Sequence, residues 1–105
     1  MPTWLKACST DDIDLEDVIP FSAAGNDYAI YRSENGEFFA SDGHCTHERT
    51  LLCDGLVLDG AIECPRHNGR FDFRTGRALS APAIVDLKIY PVKVEDGYVH
   101  LDIDG

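Results

Sequence analysis

The chain has 105 residues, of which 9 are Lys or Arg and 19 are Asp or Glu, so its formal net charge is −10. This length is enough for one domain with a single core, and the negative charge argues against nucleic acid and anionic membranes as partners. The sequence has no apolar run of about 18 residues and no export signal at its N-terminus. We therefore expect a soluble, cytoplasmic protein.

Short β-rich segments follow one another along the chain. The first predicted element is instead a helical turn at residues 9–13, where the hydroxyl of Ser9 precedes acidic residues that suit a helix N-terminus. Runs rich in strand-forming residues come next, at 28–31, 37–40, 56–58, 87–90 and 98–103. The last run alternates, which predicts Val99, Leu101 and Ile103 on the buried face and Tyr98, His100 and Asp102 on the exposed face.

Turn signals separate these runs. Six pairs of Asn or Asp with Gly are able to adopt the positive φ of a tight turn: Asn35-Gly36, Asp42-Gly43, Asp54-Gly55, Asp59-Gly60, Asn68-Gly69 and Asp96-Gly97. They are too closely spaced for long helices, and no linker or repeat divides the chain. The pattern predicts one all-β domain, a sandwich or barrel of short antiparallel strands.

Two pairs of potential metal ligands lie in turn-prone segments. Cys45-Thr46-His47 is followed, after 16 intervening residues, by Cys64-Pro65-Arg66-His67. A hairpin over residues 56–63 would bring the two segments together and create a shared metal site. Ligands of a single zinc ion usually stand two to four residues apart on one loop, whereas only Thr46 separates Cys45 from His47. This spacing favours two neighbouring metal atoms, as in a [2Fe-2S] centre with mixed cysteine and histidine ligands.

The sequence resembles the Rieske-type ferredoxins of bacterial aromatic-ring-hydroxylating dioxygenase systems, especially the naphthalene-dioxygenase type. Besides the ligand pairs, the resemblance includes residues 63–72, 75–79 and 90–94. It implies a single Rieske domain over residues 1–105, an antiparallel β-sandwich or barrel whose cluster-binding subdomain, about residues 42–77, is formed by two hairpin loops.

The resemblance also implies how one [2Fe-2S] cluster is bound. Cys45 and Cys64 would hold one iron, and His47 and His67 the other. A third loop, which contains a proline and covers the cluster in this family, corresponds to residues 80–83. High-potential Rieske proteins have the two cysteines of a bridging disulfide and two hydroxyl donors where this chain has Thr50, Arg66, Gly69 and Phe71. We therefore predict a potential near the low end of the class range of roughly −150 to +300 mV.

The implied function is that of a one-electron carrier in aromatic hydrocarbon catabolism. It would accept electrons from a flavoprotein ferredoxin reductase and pass them to a terminal Rieske non-haem iron oxygenase, without being an enzyme itself. We expect a monomer, because the cluster end has to be exposed to both partners. Two alternatives remain open from the residues: a [2Fe-2S] redox sensor and a zinc-stabilised interaction module.

Charge is distributed unevenly along the chain. Residues 42–77 contain 5 basic and 6 acidic side chains, whereas the other 69 residues contain 4 basic and 13 acidic ones. We expect the acidic body to steer partners with basic surfaces, and Arg49, Arg66 and Arg70 to fix their register at the cluster end. The remaining cysteines, Cys8 and Cys53, are predicted to be partly buried thiols without a functional role.

Overall fold

The computed structural model describes residues 2–46, 50–65, 69–80 and 85–104. In this part of the chain every strand pairing is antiparallel, which confirms the predicted all-β class. The strands are β1 (Trp4–Ser9), β2 (Asp17–Ala23), β3 (Asn26–Arg32), β4 (Phe38–Asp42), β5 (Leu56–Leu58), β6 (Ala61–Glu63), β7 (Arg70–Asp72), β8 (Ala78–Ser80), β9 (Ile89–Tyr90), β10 (Val92–Glu95) and β11 (Tyr98–Asp102). Two 3₁₀ helices, Thr10–Asp12 and Leu52–Asp54, are the only helices in these residues, and neither could cross a membrane.

The strands form three sheets, in the orders β1-β11-β10, β2-β3-β4-β9 and β5-β6-β7-β8. The sheets enclose two groups of buried side chains. We call the first the loop-side core; it consists of Val18, Ala29, Tyr31, Cys45, Leu52, Val57, Ile62, Cys64, Phe71, Phe73 and Leu87. We call the second the body core; it consists of Ile13, Tyr28, Ile30, Ala40, Val99 and Leu101.

Strand β3 divides the two cores. Ala29 and Tyr31 belong to the loop-side core, while Tyr28 and Ile30 belong to the body core. Because successive side chains of a strand point to opposite faces, one strand contributes to both. All four residues are at most 4% exposed, as expected for the central strand between two packed layers.

Several predicted turns have the expected backbone conformation. Both residues of Asp59-Gly60 and of Asp96-Gly97 have positive φ, and Gly36 has a φ of 86°. The turn between β2 and β3, at Ala24-Gly25 with φ values of 52° and 79°, was not predicted, because alanine rarely adopts this conformation. Asn68 lies outside the described residues.

At Asp54-Gly55 the prediction of a positive φ was wrong, since Gly55 has a φ of −89°. A glycine is required at residue 55 for a steric reason instead, because a Cβ atom there would lie 2.1 Å from the carbonyl oxygen of Glu63. The same holds for Asp42-Gly43, where a Cβ atom on Gly43 would lie 2.9 Å from the carbonyl carbon of Asp27. These two glycines allow close backbone approach beside the cysteine segments.

The predicted helical turn is confirmed. The N–H of Asp11 donates to Oγ of Ser9 at 3.2 Å, and the N–H of Ser9 donates to Oδ2 of Asp12 at 2.9 Å, which is a reciprocal capping arrangement. Val99 and Leu101 of β11 are fully buried as predicted. Asp102 departs from the predicted alternation: it is only 7% exposed, and its Oδ1 accepts the N–H groups of Thr3 and Asp104.

Candidate metal centre

Cys45 and Cys64 begin two loops of the same construction. In the first, the N–H of Cys45 donates to the carbonyl of Thr50 at 2.9 Å; in the second, the N–H of Cys64 donates to the carbonyl of Gly69 at 2.7 Å. Each bond closes a loop from residue i to residue i+5 and encloses four residues. The sequence places one histidine among each four, His47 and His67, and both lie outside the described residues. Each closed loop thus contains one cysteine and one histidine.

Both loops are the ends of antiparallel hairpins. His44 and Leu51 form an isolated β-bridge immediately before the first loop closure, and Glu63 pairs with Arg70 immediately before the second. The predicted hairpin over residues 56–63 is confirmed by the pairing of β5 with β6. This local construction follows from the sequence, because β-rich residues flank a turn-prone segment in both places.

The two hairpins lie side by side. The 3₁₀ helix after the first loop buries Leu52 completely, and the N–H of Leu52 donates to the carbonyl of Gly43 at 2.8 Å. The chain then passes through Gly55, whose α-carbon faces the backbone of Glu63 so closely that no side chain fits. Glu63 directly precedes Cys64, so the segment leaving the first loop packs against the strand that leads into the second.

The side chains of Cys45 and Cys64 are buried, with 5% and 1% of their surface exposed. Both belong to the loop-side core, together with apolar residues such as Phe71 and Leu87. No disulfide joins any of the four cysteines, all of which lie in the described residues. Two buried cysteines in adjacent loops, each followed by a histidine in the sequence, are a suitable donor set for a sulfur- and nitrogen-ligated iron centre.

A third segment is joined to the first loop. The hydroxyl of Thr46 donates to the carbonyl of Val85 at 2.7 Å, and the N–H of Leu87 donates to the carbonyl of Gly76 at 2.6 Å. The segment predicted to cover the cluster begins at Ser80, the last residue of β8; its other residues, 81–83, lie outside the described part. The chain that follows it therefore returns to the first loop and to the loop-side core.

Charged side chains lie beside both loops. Arg70 is exposed and follows the second loop directly, whereas Arg49 and Arg66 lie outside the described residues. Beside the first loop is a polar cleft of about 540 Å³ whose lining includes Thr46, Asp27 and Asp42. Nε2 of His44 lies 3.7 Å from Oδ2 of Asp27, and both residues line this cleft. In the described part of the chain, the second loop is thus followed by the cation of Arg70, and the cleft beside the first loop combines carboxylates with the cation of Lys88.

Cys8 and Cys53 are half-buried and lie outside the two loops, as predicted. Burial raises the pKa of both thiols, and a neighbouring carboxylate, Asp12 for Cys8 and Asp54 for Cys53, raises it further. A raised pKa reduces the thiolate fraction at neutral pH, and the thiolate is the reactive form. We therefore expect both thiols to react slowly at neutral pH.

One acidic cluster was not anticipated from the sequence. Carboxylate oxygens of Glu16, Glu34 and Asp59 lie within 4.8 Å of one another. These residues are far apart in the sequence, so spacing gave no signal. Glu34 and Asp59 are exposed and Glu16 is partly buried, and the cluster contains neither Cys45 nor Cys64.

Comparison with known proteins agrees with this geometry. The family model of the Rieske [2Fe-2S] domain matches residues 3–91. The ferredoxin component of the naphthalene 1,2-dioxygenase/salicylate 5-hydroxylase systems of a Ralstonia species is 43% identical over 101 residues, which cover 96% of each chain.

Two solved structures are similar over nearly the whole chain. The ferredoxin of Sphingomonas yanoikuyae B1 has a TM-score of 0.89 and 35% identity, covering 95% of this chain and 98% of that one. A chain in the complex of reduced oxygenase and oxidised ferredoxin in carbazole 1,9a-dioxygenase also has a TM-score of 0.89, with 32% identity and coverage of 94% and 92%. The chain therefore belongs to the Rieske [2Fe-2S] family, among the ferredoxins that carry electrons in aromatic dioxygenase systems.

Proposed function

We propose that Cys45 and Cys64 bind one iron of the [2Fe-2S] cluster and that His47 and His67 bind the other. The observation that supports this assignment best is the matched construction of the two loops. Each is closed by a hydrogen bond from the cysteine N–H to the carbonyl five residues later. Such a pair of loops offers the same two donor types twice, at the ends of adjacent hairpins.

When bound, the cluster accepts and releases one electron at a time. The chain contributes the environment in which this takes place. Leu52, Phe71 and Leu87 surround the cysteines with apolar, water-excluding side chains, which favour the less charged oxidised state and help to keep the potential low. Thr46 holds the first loop to the segment after β8 through its bond to Val85.

We further propose that this ferredoxin works in the cytoplasm between a flavoprotein reductase and a terminal Rieske non-haem iron oxygenase. The net charge of −10 belongs mainly to the body outside residues 42–77. Such a distribution attracts basic partner surfaces over distances comparable to the Debye length, about 10 Å at 0.1 M salt. Arg70, exposed beside the second loop, suits a short-range contact with a carboxylate on the partner.

The ligand assignment is tested by replacing the cysteines one at a time. Iron, acid-labile sulfide and the EPR signal of the dithionite-reduced protein are measured for Cys45→Ser and Cys64→Ser after anaerobic purification. We expect both variants to lose the cluster, and much of their folded structure, because metal binding and loop ordering are coupled. Cys53→Ser is the matched control, since Cys53 lies on the neighbouring 3₁₀ helix outside the loops, and it should keep a normal cluster.

Several outcomes would contradict the proposal. A normal Rieske EPR signal from Cys45→Ser would remove that residue from the ligand set. A colourless protein with one zinc per chain would favour a zinc-stabilised module. A normal cluster in a protein that supports no oxygenase turnover with any flavoprotein reductase, but binds a regulator, would favour a redox sensor.

The role of the acidic body is tested by stopped-flow reduction of the ferredoxin by its reductase at increasing ionic strength. We expect the second-order rate constant to fall as salt screens the attraction. A rate constant that does not change between about 0.02 and 0.5 M salt would show that steering plays no part.

A further inference from the structure

A largely apolar cleft is formed by residues of β4, β9 and β10. Its volume is about 490 Å³, which is within the range of roughly 300–1,000 Å³ that is typical of small-molecule sites. The apolar and aromatic residues that line it are Phe38, Phe39, Ile89, Tyr90, Pro91 and Val92. The remaining lining residue is Arg74, from the turn between β7 and β8. The cleft therefore combines apolar walls with one cation.

The aromatic walls of this cleft are held by contacts within the folded chain. Phe38 packs against the body core, and Phe39 packs against the loop-side core. The ring centroid of Phe39 lies 5.5 Å from that of Phe73, which is fully buried. The hydroxyl of Tyr90 donates to Oδ1 of Asp42, which does not line the cleft. The walls are thus positioned without a ligand, as in most small-molecule sites.

The guanidinium of Arg74 is the charged group among the described residues that line the cleft. Its Cζ lies 5.2 Å from the ring centroid of Phe39, so the cation is placed over an aromatic wall. Its Nη1 lies 3.5 Å from Oε1 of Glu37, and the two side chains are 41% and 58% exposed. Ion pairs that are this exposed are weak. Another carboxylate can therefore replace Glu37 at little cost in free energy.

We infer that this cleft binds a small aromatic carboxylate. The ring of the ligand lies between the apolar walls, and its carboxylate pairs with Arg74. A guanidinium presents parallel N–H donors that match the two oxygens of a carboxylate. No Asp or Glu is among the described residues that line the cleft, so an anionic ligand meets no like charge there, whereas a cationic ligand meets Arg74.

Both parts of such a ligand are needed for binding. The net charge of the chain is −10, which disfavours anions in general, so a carboxylate without a ring gains little. A ring without a charge leaves the cation of Arg74 unused. Neither Cys45 nor Cys64 lines the cleft, so the inference does not depend on how the cluster is bound.

The experiment is a ¹H–¹⁵N NMR titration of the oxidised, cluster-loaded protein with sodium benzoate. Benzamide is the probe that has the ring without the charge, and acetate is the probe that has the charge without the ring. We expect benzoate to shift the amide signals of Phe39, Arg74 and Ile89 in a saturable way. It should bind about fivefold more tightly than either of the other probes.

Two variants change the charge at the cleft in opposite directions. Arg74→Gln should weaken benzoate binding about fivefold, because it removes the cation. Glu37→Gln should strengthen benzoate binding by up to about fivefold, because it removes the competing carboxylate. The controls are Arg77→Gln and Glu34→Gln, which make the same charge changes at other exposed residues of the same two turns. Neither control residue lines the cleft, and both variants should bind benzoate as the unsubstituted protein does.

Three results would overturn the inference. One is the absence of any saturable shift at up to about 20 mM benzoate, at which even a site with millimolar affinity is nearly full. Another is equal affinity for benzoate and benzamide, or equal benzoate affinity in Arg74→Gln and the unsubstituted protein, since the cation would then play no part. The third is a set of shifts confined to residues outside the cleft, which would place the ligand elsewhere.

Discussion

The turn between β7 and β8 joins the loop-side core to the chain that leads into β9. Gly76 has a φ of 82°, and a Cβ atom there would lie 2.0 Å from the carbonyl oxygen of Leu87 and 3.1 Å from Cγ2 of Ile89. The carbonyl of Gly76 also accepts the N–H of Leu87 at 2.6 Å. Gly76→Ala must therefore separate the two chain segments and break this hydrogen bond.

Gly25 provides a matched control. Its φ of 79° is nearly the same, but nothing lies within 4 Å of the Cβ position. Alanine in this left-handed conformation costs about 1–2 kcal/mol at either site. At Gly76, leaving the buried N–H of Leu87 unpaired adds about 1–3 kcal/mol. We expect Gly76→Ala to be the more destabilising by about 2 kcal/mol, or roughly 8–16 °C in a domain of this size.

The assay is anaerobic thermal unfolding of both variants at equal cluster content, followed by far-UV circular dichroism and by visible absorption of the cluster. Gly76→Ala should show the lower midpoint with both probes, and its cluster should be lost early, because Leu87 packs in the same core as Cys45 and Cys64. Equal midpoints for the two glycine variants would refute the reasoning from close approach.

Three further predictions concern single side chains. Thr46→Val should lose the hydrogen bond to Val85 and lower stability by about 1 kcal/mol, measured as a lower temperature of cluster loss, with Thr46→Ser as the control that retains the bond. Burial raises the pKa of Tyr31 above the ordinary value of about 10, so the contribution of the neutral phenol to stability is complete below about pH 10 and declines above it. Tyr31→Phe should therefore reduce the fall in melting temperature between pH 9 and about 11. An unchanged slope of melting temperature against pH would contradict this role of Tyr31. Because burial also raises the pKa of Cys53, iodoacetamide should alkylate it more slowly at pH 8 than it alkylates glutathione, and equal rates would contradict the assignment.

Local patterns predicted much of the fold. The alternation in β11 correctly predicted Val99 and Leu101 as core residues. The Asp59-Gly60 pair correctly predicted the hairpin of β5 and β6. Both features depend on residues close in sequence. The capped turn after Ser9 was predictable for the same reason.

Features that depend on distant parts of the chain were not predictable. Residues 87–90 were expected to form one strand, but β9 begins only at Ile89, because the N–H of Leu87 donates to the Gly76 turn instead of to a neighbouring strand. The spatial need for Gly55 arises from the backbone of Glu63, which is not evident from the Asp-Gly pair. Asp102 was assigned to the exposed face because nothing in β11 indicates that the chain ends cover it.

The two cysteines of the candidate site could be predicted from the ligand pattern in the sequence. Residue type and spacing singled out Cys45 and Cys64, and the structure places both in one buried core. The hydrogen bonds that close the two loops at Thr50 and Gly69 could not be predicted, because backbone groups of any residue type can form them. The assignment of His47 and His67 stays a prediction from the sequence.

Histidine ligation is the central claim, and pulsed EPR of the dithionite-reduced protein with ¹⁵N-labelled histidine tests it most directly. The account predicts two strongly coupled histidine nitrogens at one iron, with one coupling lost in each of His47→Cys and His67→Cys if those variants retain a cluster. A reduced cluster without coupling to any histidine nitrogen would contradict it.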